Sequence, residues 1–262
     1  MTTRRILGIG LAAALLAIGG RAQDVVVSKA GGEKTTMDWA GFAAGAGAGP
    51  TFVKTVQGDL ARSGWFAIVA TGRGEFRVQG GCEDSGANLG VRCQVANTGT
   101  GATPLRKSYS AASKDVRALA HRVADDIVKA ITGREGFATS RLVLVGNRTG
   151  KKELYVCDSD GRNMMQLTQD RSISLYPRWS PDGQKITYTS YIKGYPDAYM
   201  IQLATGRRDR LAAFPGLNAG AVISPNGASA ALVLSRDGNP ELYVMSPPAP
   251  GASFTRITRT AP

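Results

Sequence analysis

Ser180-Pro181-Asp182-Gly183 returns 44 residues later as Ser224-Pro225-Asn226-Gly227. Tyr155, Tyr199 and Tyr243 keep the same interval of 44, inside Leu154-Tyr155-Val156, Ala198-Tyr199-Met200-Ile201 and Leu242-Tyr243-Val244. Two markers in one register make the C-terminal half an internal repeat. A period in the low to middle forties, filled with short strands and turns, is that of one four-stranded blade of a β-propeller. Each Ser-Pro-(Asp/Asn)-Gly reads as a turn joining two strands, because Pro fixes φ at the second position, Asp or Asn tolerates the third and Gly accepts the fourth. Trp179 before the turn, and Ile186 and Tyr188 after it, alternate so that one face can pack on the next blade. Thr205-Gly206 and Asp160-Gly161 mark the following hairpins in their own repeats. Residues 137–262 thus hold one partial and two nearly complete blades, and since propellers close with four or more, the chain is expected to stop at an open sheet edge.

Ahead of the repeats the pattern changes. Pro50 opens an amphipathic helix with Phe52, Val53, Val56 and Leu60 on one face, closed by Gly64. Strands are predicted at 65–69, 76–79, 91–96 and 105–109. A second helix follows from Ser113 as N-cap, with Val116, Leu119, Ala120, Val123, Ile127 and Ile131 at helical spacing up to Gly133. Helix, strands and helix over 50–136 make a small α/β domain. The stretch 41–49, GFAAGAGAG, reads as a flexible joint, so residues 23–49 are expected to be an N-terminal arm and linker. At the start, Arg4-Arg5 precedes an apolar run over 6–18 that is too short to span a bilayer, followed by Gly20-Arg21-Ala22. That is the pattern of a cleavable signal peptide, residues 1–22, and implies export.

The fold class read from these segments is an α/β N-terminal domain followed by an incomplete all-β propeller of four-stranded blades. The chain has 262 residues, 43% of them hydrophobic, with a formal charge of +12 that falls to +9 when Arg4, Arg5 and Arg21 leave with the signal. Such an excess favours anionic surfaces or an acidic partner. Nucleic acid is disfavoured, since the basic residues are scattered and no aromatic RNA motif or basic recognition helix is present.

Catalytic chemistry finds few candidates. His121 is the only histidine and falls with Arg117 and Asp125, away from the apolar stripe of its helix, so a surface position is expected. There is no Gly-x-Ser-x-Gly elbow. One His with Cys82, Cys93 and Cys157 does not form a usual zinc site. Asp158-Ser159-Asp160-Gly161 begins like a calcium loop, but Arg162 stands where an oxygen ligand belongs, and a β-turn accounts for it. Residues 146–152, GNRTGKK, are one residue short of a phosphate loop and read as a hairpin turn. No catalytic residue, cofactor or metal ligand is assigned. Cys82 and Cys93 flank a Gly-rich turn; a disulfide and two free thiols both fit an oxidising compartment. Cys157 reads as a small buried hydrophobe.

Several segments resemble the TolB family. Asp59-Leu60-Ala61-Arg62-Ser63-Gly64-Trp65-Phe66, Ala120-His121-Arg122-Val123-Ala124-Asp125-Asp126-Ile127 and Ile131-Thr132-Gly133 are similar to its N-terminal domain. Leu175-Tyr176-Pro177-Arg178-Trp179-Ser180-Pro181-Asp182-Gly183 and Ser235-Arg236-Asp237-Gly238-Asn239-Pro240-Glu241-Leu242-Tyr243-Val244 are similar to its propeller repeats. The resemblance implies a non-enzymatic periplasmic component of the Tol-Pal system, which supports envelope integrity and division by protein binding. It further implies a peptidoglycan-associated lipoprotein, Pal, docked at the propeller mouth, a TolA-like inner-membrane partner, and only peripheral association with the envelope. The extended mature N-terminus of the family matches Asp24, Val25, Val26, Val27 and Ser28, whose alternating valines could add a strand to a partner's sheet edge. The family propeller has six blades, whereas this chain stops at Pro262 in about the third, as a truncated copy or a fragment would. The third repeat also departs from the family pattern, with Ala221 where Pro is usual, Asn226 for Asp, and Leu217 where some members have a polar contact residue. An alternative is the propeller portion of a prolyl-oligopeptidase-like serine peptidase, which would need a catalytic domain beyond Pro262.

Overall fold

The computed structural model describes residues 33–69 and 71–260. The expected signal peptide at 1–22 and the proposed partner segment Asp24–Ser28 lie outside the described residues. None of the described helices is long and apolar enough to cross a membrane.

The first domain is a five-stranded sheet with two helices on one face. Its strands are β1 (Thr35–Ala43), β2 (Phe66–Val69), β3 (Phe76–Asp84), β4 (Asn88–Asn97) and β5 (Leu105–Ala112), in the order β2-β1-β3-β4-β5. β1 runs parallel to both its neighbours, and β3, β4 and β5 form an antiparallel meander. Helix α1 (Gly49–Arg62) buries Phe52, Val56 and Leu60 completely, and α2 (Val116–Thr132) buries Leu119, Ala120, Val123 and Ile127. Each large side chain removed from water in this way contributes about 1.5–3 kcal/mol. Gly133, at φ 71°, ends α2 with its N–H on the Lys129 carbonyl at 2.9 Å.

Two expectations need correction here, and the state of one cysteine pair, left open by the sequence, is decided. Residues 41–49 are not a flexible joint, because 41–43 are the end of β1 and 44–48 form a tight corner. A Cβ on Gly49 would sit 1.6 Å from the Ala44 carbonyl oxygen, and Asp84 accepts the Ala48 N–H at 2.7 Å. The small side chains there serve close packing rather than mobility. Ser113 is not the cap of α2. It opens a short 3-10 turn, Ser113–Asp115, and its hydroxyl donates to Asp84 at 2.7 Å. Cys82 and Cys93 are both buried free thiols, because the ladder sets Cys82 opposite Val91 and Cys93 opposite Gly80, two residues out of step. Burial pushes the Cys82 thiol up to about 11 and Cys93 up to about 12. Cys157 is a buried free thiol, as expected.

The repeats fold as three antiparallel sheets: β6 (Arg141–Gly146), β7 (Glu153–Asp158) and β8 (Met165–Gln166); β9 (Ser174–Trp179), β10 (Lys185–Ser190), β11 (Asp197–Gln202) and β12 (Arg208–Ala212); β13 (Asn218–Ile223), β14 (Ala230–Leu234), β15 (Glu241–Ser246) and β16 (Ser253–Arg256). The Ser-Pro turns behave as their chemistry demands. Gly183 and Gly227, at φ 67° and 74°, donate their N–H groups to Ser180 and Ser224 at 2.9 and 2.8 Å. Blades stack through Ala198, Met200, Leu211, Ile223, Leu232 and Met245. Hydrogen bonds also cross between blades, from Thr187 Oγ1 to the Ala221 carbonyl and from the Gly220 N–H to Thr189 Oγ1 at 3.2 Å. By the 44-residue register β6 corresponds to β10, so the first sheet lacks the counterpart of β9. That counterpart would fall at 130–135, where α2 ends.

The domains join through charged groups. Asp125 accepts the N–H groups of Ala138 and Thr139 at 2.7 and 2.9 Å, and Ser159 Oγ donates to the Ala138 carbonyl at 2.7 Å. Arg117 of α2 is ion-paired with Asp160 in the β7–β8 turn. His121 is therefore not a surface residue. It is 4% exposed, and its Nδ1 lies 2.6 Å from Asp59 Oδ2. A helical wheel identifies the apolar face of α2 but does not reveal that α1 and the first blade cover much of the polar face as well.

Candidate docking face of the propeller

In an antiparallel blade the loop from the second strand to the third and the loop entering the next blade emerge at the same end. Here these are residues 147–152, 167–173, 191–196, 213–217 and 235–240. Backbone hydrogen bonds knit them together: Ser174 N–H to Lys152, Tyr191 N–H to Ile173, Asn218 N–H to Pro196 and Ser235 N–H to Leu217. This end carries four large exposed side chains, Ile173 (40%), Tyr176 (58%), Ile192 (41%) and Tyr195 (72%). Arg148, Lys151, Lys152, Arg171 and Lys193 stand exposed around them. Apolar and aromatic groups ringed by cations form a surface suited to a protein partner with acidic character.

Tyr176 is held at φ 54°, and its repeat partner 44 residues on, Gly220, at φ 69°. Both occupy a register irregularity of the first strand in their blade. Glycine meets that conformation without strain, whereas tyrosine meets it at a cost of about 1–2 kcal/mol. The strained position projects an aromatic ring at the mouth, the kind of site where strain and function coincide.

Beneath the rim runs a ladder of buried carboxylates at the same 44-residue interval, Glu153 (1%), Asp197 (5%) and Glu241 (2%). Glu153 accepts from Thr168 Oγ1 and from the Arg171 N–H at 2.8 Å, while the Leu154 N–H donates to Thr168 Oγ1 at 2.8 Å. In the third blade Thr258 does the same for Glu241 and the Leu242 N–H, with Arg256 at 2.9 Å and the Thr260 N–H at 2.6 Å completing the cage. The Thr258 hydroxyl first, then the donors of Thr260 and Arg256, hold the Glu241 carboxyl down at about 2 against the effect of burial.

The second blade breaks this pattern. Ala212 stands where Thr168 stood, and Pro215, which has no N–H, replaces Arg171. Among the described residues Asp197 keeps only Arg210, at 3.4 Å, and burial raises its carboxyl above the usual range. It opens on a cavity of about 510 Å³ walled by Lys193, Tyr195, Phe214 and Pro215. Asn218 holds the rim loop rigid, accepting the Phe214 N–H at 2.9 Å and donating to the Phe214 carbonyl at 2.7 Å. Leu217 is half-buried in that loop, its N–H on Ser235 Oγ at 2.8 Å. Residues 146–152 form the β6–β7 hairpin, and Asp158–Gly161 a turn in which the Gly161 N–H reaches the Asp158 carbonyl at 2.9 Å. The ladder is legible in the sequence two residues before each repeat tyrosine, a signal the turn motif overshadows.

An α/β domain followed by stacked antiparallel blades, two of them four-stranded and the first three-stranded, defines a β-propeller protein with an appended domain. Residues 128–261 match the TolB beta propeller domain, and the chain belongs to that family. A protein TolB homolog of Chlorobium chlorochromatii is 35% identical over 191 residues, covering 72% of this chain and 42% of the relative. The Tol-Pal system protein TolB of Desulfosudis oleivorans is 32% identical over 186 residues, covering 71% of this chain and 42% of the relative. The crystal structure of TolB from Acinetobacter baumannii superposes with a TM-score of 0.77 at 25% identity, covering 87% of this chain and 61% of that one. The chain thus spans under half the length of these curated relatives.

Proposed function

We propose that this protein is a non-enzymatic periplasmic adaptor of the Tol-Pal envelope system, supporting outer-membrane integrity and cell division by binding partners. The observation that carries this reading, beside membership of the family, is the docking end, where Tyr176, Tyr195, Ile173 and Ile192 are exposed within a ring of cations. Tyrosines on a rigid rim are the residues from which interface hot spots are commonly built. The sole histidine supports the non-enzymatic reading, since it faces Asp59 in the domain joint rather than a serine nucleophile. A Pal-like peptidoglycan-associated lipoprotein is the partner proposed for the docking end. A TolA-like protein is proposed for Asp24, Val25, Val26, Val27 and Ser28 by strand addition, after loss of residues 1–22.

The test is calorimetric titration of the purified chain with the Pal-like lipoprotein of its own host. Tyr195→Asp and Tyr176→Asp should each weaken binding at least tenfold without lowering the melting temperature by more than a few degrees. Deleting 24–28 should abolish crosslinking to the TolA-like protein and leave the lipoprotein affinity unchanged. Undiminished affinity in both tyrosine variants, or no binding by the parent chain, overturns the docking assignment.

A further inference from the structure

The joint between the two domains contains a polar cluster that the docking function does not use. One ring nitrogen of His121 and one oxygen each of Asp158 and Asp160 lie within 4.8 Å of one another. The histidine comes from α2 and both carboxylates from the β7–β8 turn of the first blade. Its Nδ1 is engaged with Asp59 Oδ2 at 2.6 Å, whereas its Nε2 is buried and has no hydrogen-bond partner among the described residues. A proton on Nδ1 facing a carboxylate leaves the lone pair on Nε2. That is the arrangement by which a carboxylate behind the ring orients a metal-binding imidazole and raises its basicity.

From these observations we infer that His121, Asp158 and Asp160 form a binding site for a first-row divalent cation such as zinc, held between the α/β domain and the first blade. A cation at the usual distances of about 2.0–2.2 Å from one nitrogen and two carboxylate oxygens spans ligand separations of roughly 3–4 Å, so the three atoms, within 4.8 Å of one another, would draw together around it, and a solvent molecule would complete four-coordination. The charge balance favours it. Asp59, Asp158 and Asp160 meet Arg62 and Arg117, so three carboxylates face two guanidiniums around the imidazole. Arg117 and the Arg162 N–H each occupy one acceptor position on Asp160, and the Asn163 side chain one on Asp158, but a carboxylate offers about four. The nitrogen ligand selects zinc, copper or nickel over calcium and magnesium. Bound there, the ion would link two domains otherwise joined by hydrogen bonds and ion pairs, making their coupling metal-dependent.

The experiment uses the full chain without an affinity tag, stripped with a chelator and titrated calorimetrically with zinc chloride, then examined by zinc-edge X-ray absorption. The expected result is one saturable site with a low-oxygen-and-nitrogen shell, insensitive to millimolar calcium. Binding should be at least tenfold weaker in both His121→Gln and Asp158→Asn. The Asp158 variant lies at a half-exposed turn and decides the matter if the buried histidine variant fails to fold. Absence of saturable binding by the parent chain, or full-affinity binding by Asp158→Asn, overturns the assignment.

Discussion

Replacing Thr168 by Val tests the carboxylate ladder most directly, because the two side chains have nearly the same shape and only the hydroxyl is lost. Thr168 is fully buried; its Oγ1 donates to Glu153 Oε2 and accepts the Leu154 N–H. In the variant a buried amide N–H loses its acceptor, at about 1–3 kcal/mol. Glu153 loses a donor to a charged group, a further contribution of about 1.5–3 kcal/mol that is reduced because the Arg171 N–H remains. One hydroxyl makes both bonds, so the two losses are not additive, and a total of about 2–4 kcal/mol is expected. For a chain of this size that corresponds to a fall in melting temperature of roughly 5–15 °C. Thr258→Val provides the contrast, because Thr258 is exposed and water can replace its hydroxyl; roughly a third of the effect or less is expected. Urea unfolding followed by the fluorescence of Trp179, which belongs to the propeller, reports the relevant transition. A loss below about 1 kcal/mol for Thr168→Val, or equal losses for the two threonines, would refute the view that this hydroxyl anchors the blade.

Ala212→Thr should restore in the second blade the donor that Asp197 lacks, as Thr168 supplies it to Glu153, and raise the melting temperature by roughly 2–4 °C; a drop in melting temperature would show that the site is already close-packed. Stability should fall on acidification from about pH 4.5 toward pH 2. Over that range folded Glu241, with its carboxyl held at about 2, stays ionised while the unfolded chain takes up the proton, so the contribution is present above the ordinary glutamate range and lost below it. Glu241→Gln should flatten that slope in urea titrations across the range, and an unchanged slope would assign the effect elsewhere. Native protein should leave Cys82 and Cys93 unlabelled by a thiol reagent at pH 8 and react only after unfolding, because burial raises both thiols to about 11 and 12; rapid labelling of the folded chain would contradict the buried placement. Asp160→Asn, which removes the pairing of Arg117 across the joint, should speed proteolytic cleavage near residues 133–140 severalfold while leaving each domain's own unfolding signal in place.

The repeat was legible because turn chemistry is local: a Pro-Asp-Gly sequence dictates its own backbone wherever it occurs, and a fixed interval then counts blades. The two helices were legible through the spacing of Phe52, Val56 and Leu60 and of Leu119, Val123 and Ile127. Strand β1 was not, because its core side chains Met37, Trp39 and Phe42 are interrupted by buried Asp38 and by Gly41. Asp38 is buried for a reason that lies largely outside its own strand: it accepts the Gly72 N–H at 2.9 Å, as well as that of Ala40 in β1 at 2.8 Å. The position of His121 escaped sequence reading on the same ground. Its partners Asp59 and the β7–β8 turn are separated from it by dozens of residues, and only packing brings them together.

The repeats also supply an internal comparison that no single site could give. Glu153 and Glu241 show what a blade does when its buried carboxylate serves structure: a threonine hydroxyl and a backbone N–H neutralise it from within. The second blade retains the carboxylate as Asp197 yet has lost both donors through Ala212 and Pro215, although Asp197 and Glu153 alike line a cavity at this end. A buried acid with unfilled acceptor positions costs stability. Thr168 and Thr258 show how one substitution at position 212 would remove much of that cost. The neighbouring strain at Tyr176, where the next repeat has Gly220, points the same way. Two departures from the repeat, each unfavourable to folding alone, fall at the same end of the propeller. Their coincidence there is what a surface shaped for a partner, rather than for the blade itself, would produce.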